Sequence, residues 1–587
     1  MIAVHVTHEA VEKMGGIGAV IAGLVTTPDY QKAFPRTILV GPLLETNHPA
    51  DERLGPGGTI MYSSLDMIDR DGWAPRFKPI EQSYEVGIVY GRRPVTDGNI
   101  HKPAEVEVLL VDVFRYNRDR LNLFKELLYS RFGIPSDRFE SIWEFEQYVR
   151  LAEPACEALQ VIGCQGTARE PVVMLAHEYM GVPTALKAMM SSTSVVRSAF
   201  YAHEVAPVRQ IIENHPGHDL MFYNAMKEGE RTGRVLEDYF PDVRNFFKHP
   251  VVKAARHCDA IFAVGDLVGR EIRFLDAAYR TLPIDTVYNG VPAARQTLAH
   301  RQAHRAHMKQ YARNLFGVEP DYIFTHVARP VLSKGIWRDL RVLHELEPLL
   351  EAQGKSGVFF MLGTLAGQRR TKDVLHMERV YGWPVHHDRG YPDLCNGEET
   401  LGEMFEAFNR HHQSIRVVLV NQFDWERRVC GLRMPEDMTL ADIRRGTDVE
   451  FGMSVYEPYG ISQLEPLCFG AICMPSNVCG CAGFVHSVAG ELPPNILEAN
   501  FAPEVDPLPP EGPLALGLEQ REAIEAVECR RLAQELAARL PRTQSDFANL
   551  LKSGYELGDK LSWLAVVREY FLPAVREMCE LDLLNGQ

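Results

Sequence analysis

Short apolar runs alternate with longer helical stretches along most of this 587-residue chain. Runs with the length and composition of buried strands are Ile2–Val6, Thr37–Val40, Val106–Val113, Val172–Ala176, Ala199–Ala202, Ala260–Val264, Thr286–Tyr288, Tyr322–Val327, Val358–Leu362, Val417–Val420 and Ala471–Met474. Nearly continuous apolar strands separated by helices are typical of parallel sheets that are covered on both faces. The pattern therefore predicts an α/β fold, and the number of strands indicates two doubly wound sheets.

The length of the chain exceeds what one hydrophobic core normally supports, so at least two domains are expected. A strand-like run ends near residue 292, and a polar stretch rich in His and Arg follows it up to about residue 320. This change predicts a first domain over residues 1–300 and a second over 301–560. For residues 561–587 the sequence predicts a terminal helix with a kink at Pro573. Two stretches are typical of insertions, the polar and aromatic residues 365–413 and the proline-rich residues 493–513.

Composition and charge exclude several classes of protein. The 46% apolar content excludes a largely disordered chain, and the net charge of −16 argues against a nucleic-acid or anionic-membrane partner. No apolar run reaches the length of a membrane span. The chain enters a strand at once without a cationic leader, and its eleven cysteines are odd in number and scattered. These features favour reduced thiols and a cytoplasmic protein.

The most informative segment runs from Glu457 to Glu465 around the turn Pro458-Tyr459-Gly460. The turn is expected to open a helix, whose unpaired backbone N–H groups suit a phosphate. Glu457 is expected just before this helix and Glu465 about two turns into it, and their spacing of eight residues allows both carboxylates to face one cleft. The alternative is an acid favoured by the helix dipole and one solvated glutamate.

Two cations follow the predicted strand Tyr322–Val327, Arg329 and then Lys334 five residues later. In a loop between a strand and a helix, both side chains can point at a ligand above the strand ends. Fixed positive charge of this kind suits a departing diphosphate without a metal ion. The alternative is a pair of ordinary surface cations.

Further polar groups follow strands of the first half. After the first strand come Lys13, Gly15 and Gly16, which allow close backbone approach to a ligand but match neither a Walker loop nor a dinucleotide fingerprint. His177-Glu178 and His203-Glu204 come at two later strand ends, where ligands of open sheets bind. The alternatives are a tight turn and hydrogen-bonded polar groups. Asp69-Arg70-Asp71 has the bare pattern of a metal-dependent transferase and is interpreted as a polar loop.

Taken together, these elements resemble the glycogen and starch synthases, retaining glycosyltransferases of the GT-B type with two Rossmann-like domains facing a deep cleft. The resemblance covers residues 2–485, and the matching positions are Lys13, Gly15, Gly16, His177, Glu178, Tyr179, His203, Asn289, Gly290, Arg329, Lys334, Gly335, Glu457 and Glu465. The paired glutamates are shared by many retaining transferases, whereas the Lys-x-Gly-Gly loop points to a synthase of α-glucan. The chain departs from the family at Pro466, which predicts a distorted helix, and at Glu204, which adds a carboxylate.

The resemblance implies transfer of glucose from a nucleoside diphosphate-glucose to the non-reducing end of an α-1,4-glucan, with no cofactor and no metal ion. It implies a terminal helix that packs back on the first domain. The implied catalytic residues are His203, Arg329, Lys334 and Glu457, and the implied sugar or acceptor residues are His177 and Glu178. The implied donor-binding residues are Lys13, Gly15, Gly16, Asn289, Tyr459, Gly460, Ile461 and Glu465.

Two other functions stay open at this point. One is a retaining GT-B transferase that uses a small sugar acceptor, and the other is a catalytically silent carbohydrate-binding protein on the same fold. The sequence also leaves open whether the donor is ADP-glucose or UDP-glucose, how long the acceptor is, whether the chain forms a homo-oligomer, and what the two insertions do.

Overall fold

The computed structural model describes residues 1–11, 15–97, 102–167, 170–190 and 195–585. The chain divides into two compact units. The first unit consists of Met1–Gln210, Glu228–Gly290 and Trp563–Gln587, and the second consists of Ile211–Lys227 and Val291–Ser562.

The division departs from the predicted domain ranges in two places. The chain passes into the second unit at Val291, about ten residues before the predicted boundary. Residues 211–227, predicted within the first domain, belong to the second unit. Within that unit, the Asn224 side chain donates to the Pro503 carbonyl at 3.0 Å and accepts from the Val505 N–H at 2.9 Å. The proline-rich loop is therefore held by a segment that precedes it by almost 300 residues.

The first unit contains a ten-stranded sheet in the order β10-β9-β8-β7-β1-β2-β6-β5-β3-β4. All the predicted strands of this half are present, with ends that differ by a few residues, and they pair in parallel. The strands are β1 Ile2–Val6, β2 Arg36–Pro42, β3 Thr59–Ser63, β4 Ile68–Asp69, β5 Gly87–Val95, β6 Ala104–Asp112, β7 Val172–His177, β8 Val196–Ala202, β9 Ala260–Ala263 and β10 Asp285–Thr286.

The pattern of apolar runs did not predict β3, β4 and β5, which pair in antiparallel fashion at one edge of this sheet. In β5 the apolar run ends in Arg92, Arg93 and Pro94, which are exposed or half-buried, whereas the central parallel strands are buried almost throughout. These strands lack the continuous apolar character by which the others were found.

The second unit contains a five-stranded parallel sheet in the order β13-β12-β11-β14-β15. Its strands are β11 Tyr322–Val327, β12 Gly357–Leu362, β13 Ile415–Val420, β14 Val449–Gly452 and β15 Ile472–Pro475. Alternate residues feed two separate cores, since Phe324 and Phe359 lie in one and Ile323 and Phe360 in the other. Both faces of the sheet are thus covered, and the predicted doubly wound α/β class is confirmed.

Strand β14 is the one member of this sheet that the sequence pattern did not predict. It is four residues long and contains Glu450, a charged residue that is 1% exposed. The Glu450 carboxylate accepts hydrogen bonds from the Thr325 hydroxyl at 2.5 Å and from the Val327 N–H at 3.1 Å. The neighbouring strand thereby supplies two of the hydrogen bonds that a buried carboxylate needs, which the sequence pattern alone could not reveal.

Helices connect most of the strands. Up to residue 290 they are α1 Ile17–Val25, α2 Pro28–Ala33, α3 Ala74–Tyr84, α4 Arg118–Phe132, α5 Trp143–Val161, α6 Glu178–Met189, α7 Ala206–Asn214, α8 His218–Thr232, α9 Leu236–Tyr239, α10 Lys248–Ala254 and α11 Asp266–Leu275. The later ones are α12 Leu298–Phe316, α13 Ile336–Glu351, α14 Thr371–Tyr381, α15 Glu399–His411, α16 Arg427–Cys430, α17 Leu440–Gly446, α18 Ile461–Leu464, α19 Gly480–Val488, α20 Leu518–Arg539, α21 Gln544–Lys560, α22 Trp563–Val566 and α23 Leu572–Asn585. In the part of the chain that the structure describes, no helix is both long enough and apolar enough to cross a membrane.

The two predicted insertions differ from each other. Residues 365–413 contain α14 and α15, and Phe405 of α15 packs into one core of the second unit. This stretch therefore contributes to the core of the second unit. Residues 493–513 contain no helix or strand except the first residue of a short 3-10 turn, as their composition predicts.

The terminal segment is helical, with a π-helical turn at Val567–Phe571 directly before α23. Pro573, where a kink was predicted, is the second residue of α23, and such a turn accommodates its missing N–H. Trp563 packs against α1 so closely that a Cβ on Gly23 would lie 2.1 Å from its indole. Phe571 stacks on Tyr30 with a centroid distance of 5.8 Å. The segment thus completes the core of the first unit.

Replacing Gly23 with alanine is expected to destabilise the protein by about 1–3 kcal/mol, because the new methyl group collides with the Trp563 ring. Gly269 in α11 is the matched control, since a Cβ there meets its nearest neighbour at 3.6 Å. Gly269→Ala should raise the free energy of unfolding by up to about 1 kcal/mol through helix propensity. Urea unfolding measures both, and equal stability of the two variants would contradict the packing of Trp563 on α1.

Candidate functional site

In the second unit, the strand order reverses between β11 and β14. Strands β12 and β13 lie on one side of β11, while β14 and β15 lie on the other. In open parallel sheets, ligands bind at this reversal, outside the carboxyl ends of the strands. The loop after β11 carries Arg329 and Lys334, and the loop after β14 carries Glu457. The predicted cations and the first predicted glutamate therefore follow the two strands that flank the reversal.

The two loops are joined by their backbones. The Val455 N–H donates to the Ser333 carbonyl at 2.9 Å. Gly335 has a positive φ of 62°, and a Cβ there would lie 2.5 Å from the Met453 carbonyl oxygen, so both the conformation and the close approach require glycine. The Lys334 ammonium contacts the Glu457 carboxylate directly, and Arg329 is exposed on the same loop. The structure thus places one cation and one anion side by side, with a second cation nearby in sequence.

The loop after β14 is also held from its other side. The Gly480 N–H donates to the Glu457 carbonyl at 3.1 Å, and the Cys481 N–H donates to the Tyr459 carbonyl at 2.8 Å. A Cβ on Gly480 would lie 2.0 Å from the Pro458 carbonyl oxygen. The close approach of α19 therefore fixes the backbone that carries Glu457.

The helix after the turn is much shorter than expected. Gly460 turns the chain with a φ of 91°, and α18 ends at Leu464 after four residues. Glu465 therefore lies just past a single turn, and the expectation that it sits two turns into a helix is wrong. The next residue, Pro466, lacks the N–H that would continue the helix, as the departure at that position predicted.

The Glu465 carboxylate takes part in an ion-pair network inside the second unit. Arg444 approaches it at 2.9 Å through Nε, and the same guanidinium reaches Glu450 at 3.1 Å. Arg444 and Glu450 are almost fully buried, whereas Glu465 is about a third exposed. Arg444 thus fixes the orientation of Glu465, a partner that sequence reasoning missed.

A buried arginine lies behind the Glu457 loop. The Arg338 guanidinium is inaccessible to solvent and donates to both oxygens of Asp219, at 2.9 and 2.8 Å, and to Glu525 at 2.9 Å. It also reaches the Met453 and Ser454 carbonyls at 3.4 Å. Sequence reasoning missed this group, because its partners are more than a hundred positions away along the chain.

In the first unit, the strand order reverses between β1 and β7. The loop after β1 contains Glu9, a buried carboxylate that accepts the Gly18 N–H at 2.8 Å. A Cβ on Gly15 would lie 3.0 Å from Glu9 Oε1, whereas one on Gly16 would meet nothing within 4 Å. The predicted glycine turn therefore lies over the Glu9 carboxylate. Lys13 lies outside the described residues.

Three histidines from neighbouring strands form a hydrogen-bonded chain. His5 Nδ1 lies 2.9 Å from His177 Nε2, and His177 Nδ1 lies 2.7 Å from His203 Nε2. At the inner end, His5 Nε2 lies 2.7 Å from the Tyr30 hydroxyl, to which the Thr37 hydroxyl donates at 3.3 Å. The rings stack almost parallel, with centroids about 5 Å apart. The sequence predicted His177 and His203, but only the parallel pairing of the strands adds His5.

These histidines are neutral at physiological pH. Burial lowers the pKa of His5 and of His203 to about 3, and it lowers the pKa of His177 well below its ordinary value. A neutral imidazole carries one N–H, so all the hydrogen bonds of the chain point the same way. The Tyr30 oxygen can accept from both Thr37 and His5, so either direction keeps every bond, and in one of them Tyr30 donates to His5. His203 then presents an N–H at Nδ1.

Glu178, which follows β7, is a strained and buried carboxyl. Its φ is 57°, a left-handed value that is rare for residues other than glycine, and such strain is often found at functional sites. One carboxyl oxygen accepts the Glu204 N–H, and the other has no hydrogen-bond partner in the described structure. Burial, and then the charge of Glu204, raise the pKa of Glu178 well above its ordinary value. Glu204 itself pairs with Arg209.

Two further predicted positions lie at the end of the first unit. Asn289 is buried, and its Oδ1 lacks a hydrogen-bond partner within the described ranges. Gly290 passes so close to the terminal segment that a Cβ would lie 2.5 Å from the Trp563 N atom. The close approach at this turn requires a glycine at position 290. The side-chain oxygen of Asn289 remains available as a hydrogen-bond acceptor.

The bare Asp-x-Asp pattern has a structural explanation. The Asp69 carboxylate accepts the N–H groups of Trp73 and Ala74, at 2.7 and 3.1 Å, at the beginning of α3. Among the described residues, no group of three or more His, Cys, Asp or Glu side chains could hold a metal ion.

The neutral histidine chain predicts a dependence of stability on pH. Because the folded state lowers the pKa of His5 to about 3, the unfolded state binds a proton more readily below pH 6.5, and stability is lost as the pH falls toward 3. His5→Gln should reduce that loss by about 1.4 kcal/mol per pH unit between pH 6 and pH 5. Urea unfolding at several pH values measures the slope. The exposed His376 supplies the control His376→Gln, and identical slopes for the two variants would refute a neutral His5.

Solved structures that resemble this chain include three synthases. They are the catalytic domain of starch synthase IV from Arabidopsis thaliana bound to ADP and acarbose (13% identity, 95% of this chain and 99% of that chain, TM-score 0.45), sucrose-phosphate synthase from Thermosynechococcus elongatus (12%, 100% and 99%, 0.48) and α,α-trehalose-phosphate synthase from Burkholderia vietnamiensis (12%, 98% and 100%, 0.47). No model of a protein family and no curated protein sequence matches the chain.

Proposed function

We propose that this protein is a retaining glucosyltransferase that moves glucose from a nucleoside diphosphate-glucose to the non-reducing end of an α-1,4-glucan. One observation carries the proposal. At the strand reversal of the second sheet, two loops joined by backbone hydrogen bonds carry Arg329, Lys334 and Glu457, and Lys334 contacts Glu457. A site of this kind offers fixed positive charge beside a carboxylate, which suits a diphosphate attached to a sugar.

The electrostatic problem of the reaction explains the cations. As the bond between the sugar and the phosphate stretches, the sugar ring gains positive charge and the diphosphate gains negative charge. Arg329 and Lys334 stabilise the departing diphosphate, aided by the backbone of Tyr459, Gly460 and Ile461. Donors aimed at developing charge typically contribute about 3–4 kcal/mol each.

The glutamates have separate roles in this proposal. Glu457 holds hydroxyl groups of the transferred sugar near the reacting carbon. Because Glu457 contacts Lys334, the group that binds the sugar lies beside the group that binds the diphosphate. Glu465 binds the ribose through the carboxylate oxygen that Arg444 leaves available, since Arg444 contacts Oε2.

The resemblance to the glycogen and starch synthases gives the residues of the first unit roles with the sugar and the acceptor. His203 donates its Nδ1–H to the sugar near the anomeric carbon, and His177 holds His203 in that tautomer. Glu178, whose pKa is raised by burial, is a further polar partner of the sugar. Asn289 and the loop with Lys13, Gly15 and Gly16 bind the donor. The acceptor hydroxyl attacks from the face of the leaving group, with a diphosphate oxygen as its base.

The decisive experiment is a panel of substrates. Radiolabelled UDP-glucose and ADP-glucose are incubated with glycogen primer and, separately, with small sugars. Incorporation of label into the primer supports the proposal, and its loss on α-amylase digestion identifies the α-1,4 linkage. Transfer to small sugars alone would contradict a glucan synthase and would show that the protein is a transferase that uses small acceptors. Absence of transfer from every donor would favour a silent carbohydrate-binding protein.

Arg329→Ala and Lys334→Ala should each reduce the rate of transfer at least about 100-fold, because each removes a charge that stabilises the leaving diphosphate. Initial rates at saturating primer measure the effect. Lys552, which is 78% exposed on α21, supplies the control Lys552→Ala, whose rate should equal that of the native protein. Near-native rates in folded Arg329 and Lys334 variants would remove both residues from the site.

Glu457→Gln should lower kcat more than it raises the KM of the donor, since the carboxylate acts on the sugar as positive charge develops. The exposed Glu556 provides the matched change Glu556→Gln, which should alter neither constant. A variant that changes only the KM of the donor would show that Glu457 binds the ground state without favouring the transition state.

A further inference from the structure

The first unit has a second concave site. A cavity of about 470 Å³ lies among the end of α4, the segment around α9 and the helix α10. Its volume is in the range of pockets that hold small molecules. His249, Lys253 and Arg256 line it at spacings of four and three residues, which places them on one side of α10 and the turn that follows.

This cavity lies away from the residues assigned to transfer. Arg256 precedes β9, which begins at Ala260, so this part of the cavity lies toward the amino ends of the parallel strands. The histidine chain and Glu178 lie at the carboxyl ends of β7 and β8 in the same sheet. Arg256 and the histidine chain thus lie toward opposite ends of the parallel strands, and the cavity can be tested independently of the proposed function.

The cavity carries a surplus of positive charge in a chain of net charge −16. Four of its side chains are cationic and two are carboxylates: Arg138, Arg244, Lys253 and Arg256 against Glu237 and Asp276. Arg244 and Lys253 pair with Glu237, each at 2.6 Å, and Lys253 also reaches Asp276 at 2.8 Å. Both carboxylates are therefore already neutralised.

Two guanidinium groups are left over. Arg138 donates to the Asn245 side-chain oxygen at 2.8 Å. Within the described residues, neither Arg138 nor Arg256 forms an ion pair with a carboxylate, and Arg256 acts on Asp276 only through its charge, which helps to lower the pKa of Asp276. Planar guanidinium groups bind phosphate oxygens well, and two of them on one cavity suit a doubly charged anion.

A buried atom with no partner points to a second feature of the ligand. His249 is 2% exposed, and its Nε2 lies 2.8 Å from a Glu237 oxygen, while its Nδ1 has no hydrogen-bond partner in the described structure. Burial is the largest influence on the pKa of His249 and lowers it, so the imidazole is neutral near pH 7. Nε2–H donates to Glu237, which leaves Nδ1 as an acceptor, and a buried acceptor requires a donor.

We infer that this cavity binds a small molecule that carries a phosphate group and a neighbouring hydroxyl group. Arg138 and Arg256 bind the phosphate, and His249 Nδ1 accepts the hydroxyl. Glu237 holds His249 in the accepting tautomer and stays ionised, because hydrogen bonds from His249, Lys253 and Arg244 outweigh burial and lower its pKa to about 2.

Isothermal titration with glycerol phosphate and with inorganic phosphate tests the inference. Arg138→Gln and Arg256→Gln should each weaken the binding of glycerol phosphate at least tenfold. Arg131→Gln, a change at an exposed position of α4 outside the cavity, should leave it unaltered. Arg329→Gln should also leave it unaltered, which separates this site from the loops of the second unit. Thermal unfolding of each variant establishes that it is folded.

The hydroxyl contact has its own test. Native protein should bind glycerol phosphate at least threefold more tightly than inorganic phosphate, and His249→Leu should abolish that preference. If the leucine variant does not fold, the comparison of the two ligands on the native protein decides. Failure of glycerol phosphate to bind, affinity unchanged in both arginine variants, dependence on Arg329 alone, or equal affinity for the two ligands would each overturn the inference.

Discussion

The second unit depends on one buried guanidinium group. Arg338 binds Asp219 from the early segment 211–227, Glu525 from α20, and two carbonyls that lead into the Glu457 loop. Removing one partner of such a buried group typically costs about 3–5 kcal/mol, because the remaining charge is left without compensation. The position of Glu457 is therefore tied to the position of segments from distant parts of the chain.

The two sheets carry different kinds of polar groups at their strand reversals. Each gathers polar side chains where the order of its parallel strands reverses, since the carboxyl ends of the strands and their loops meet there. The second unit uses charges that neutralise one another, as in the contact between Lys334 and Glu457. The first unit uses neutral groups, because the histidines lie too deep to bind a proton. A neutral chain can hold His203 in one tautomer without the cost of a buried charge.

The sequence predicted the central strands and the loops that follow them, because buried parallel strands are continuously apolar and their loops carry polar residues at fixed places. The sequence pattern did not predict strands that contain charged residues or that pair at an antiparallel edge. Strand β14 contains Glu450, whose carboxylate pairs with Arg444 and accepts from Thr325, and β3 to β5 lie at an antiparallel edge. Glu465 was expected on a longer helix, although the proline after it limits the helix to one turn. The cavity beside α10 had no signal, since its charges come from four separate segments.

The sequence by itself determined the α/β class, the identity of the loops and the chemical character of the residues they carry. These are local properties, set by apolar periodicity, glycine and proline, and short spacings along the chain. Only the tertiary structure decided that residues 211–227 belong to the second unit, that His5 joins His177 and His203, and that Arg444 holds Glu465. Those contacts join residues far apart in the chain, and their energies come from burial and from hydrogen bonds that exist only once the strands are paired.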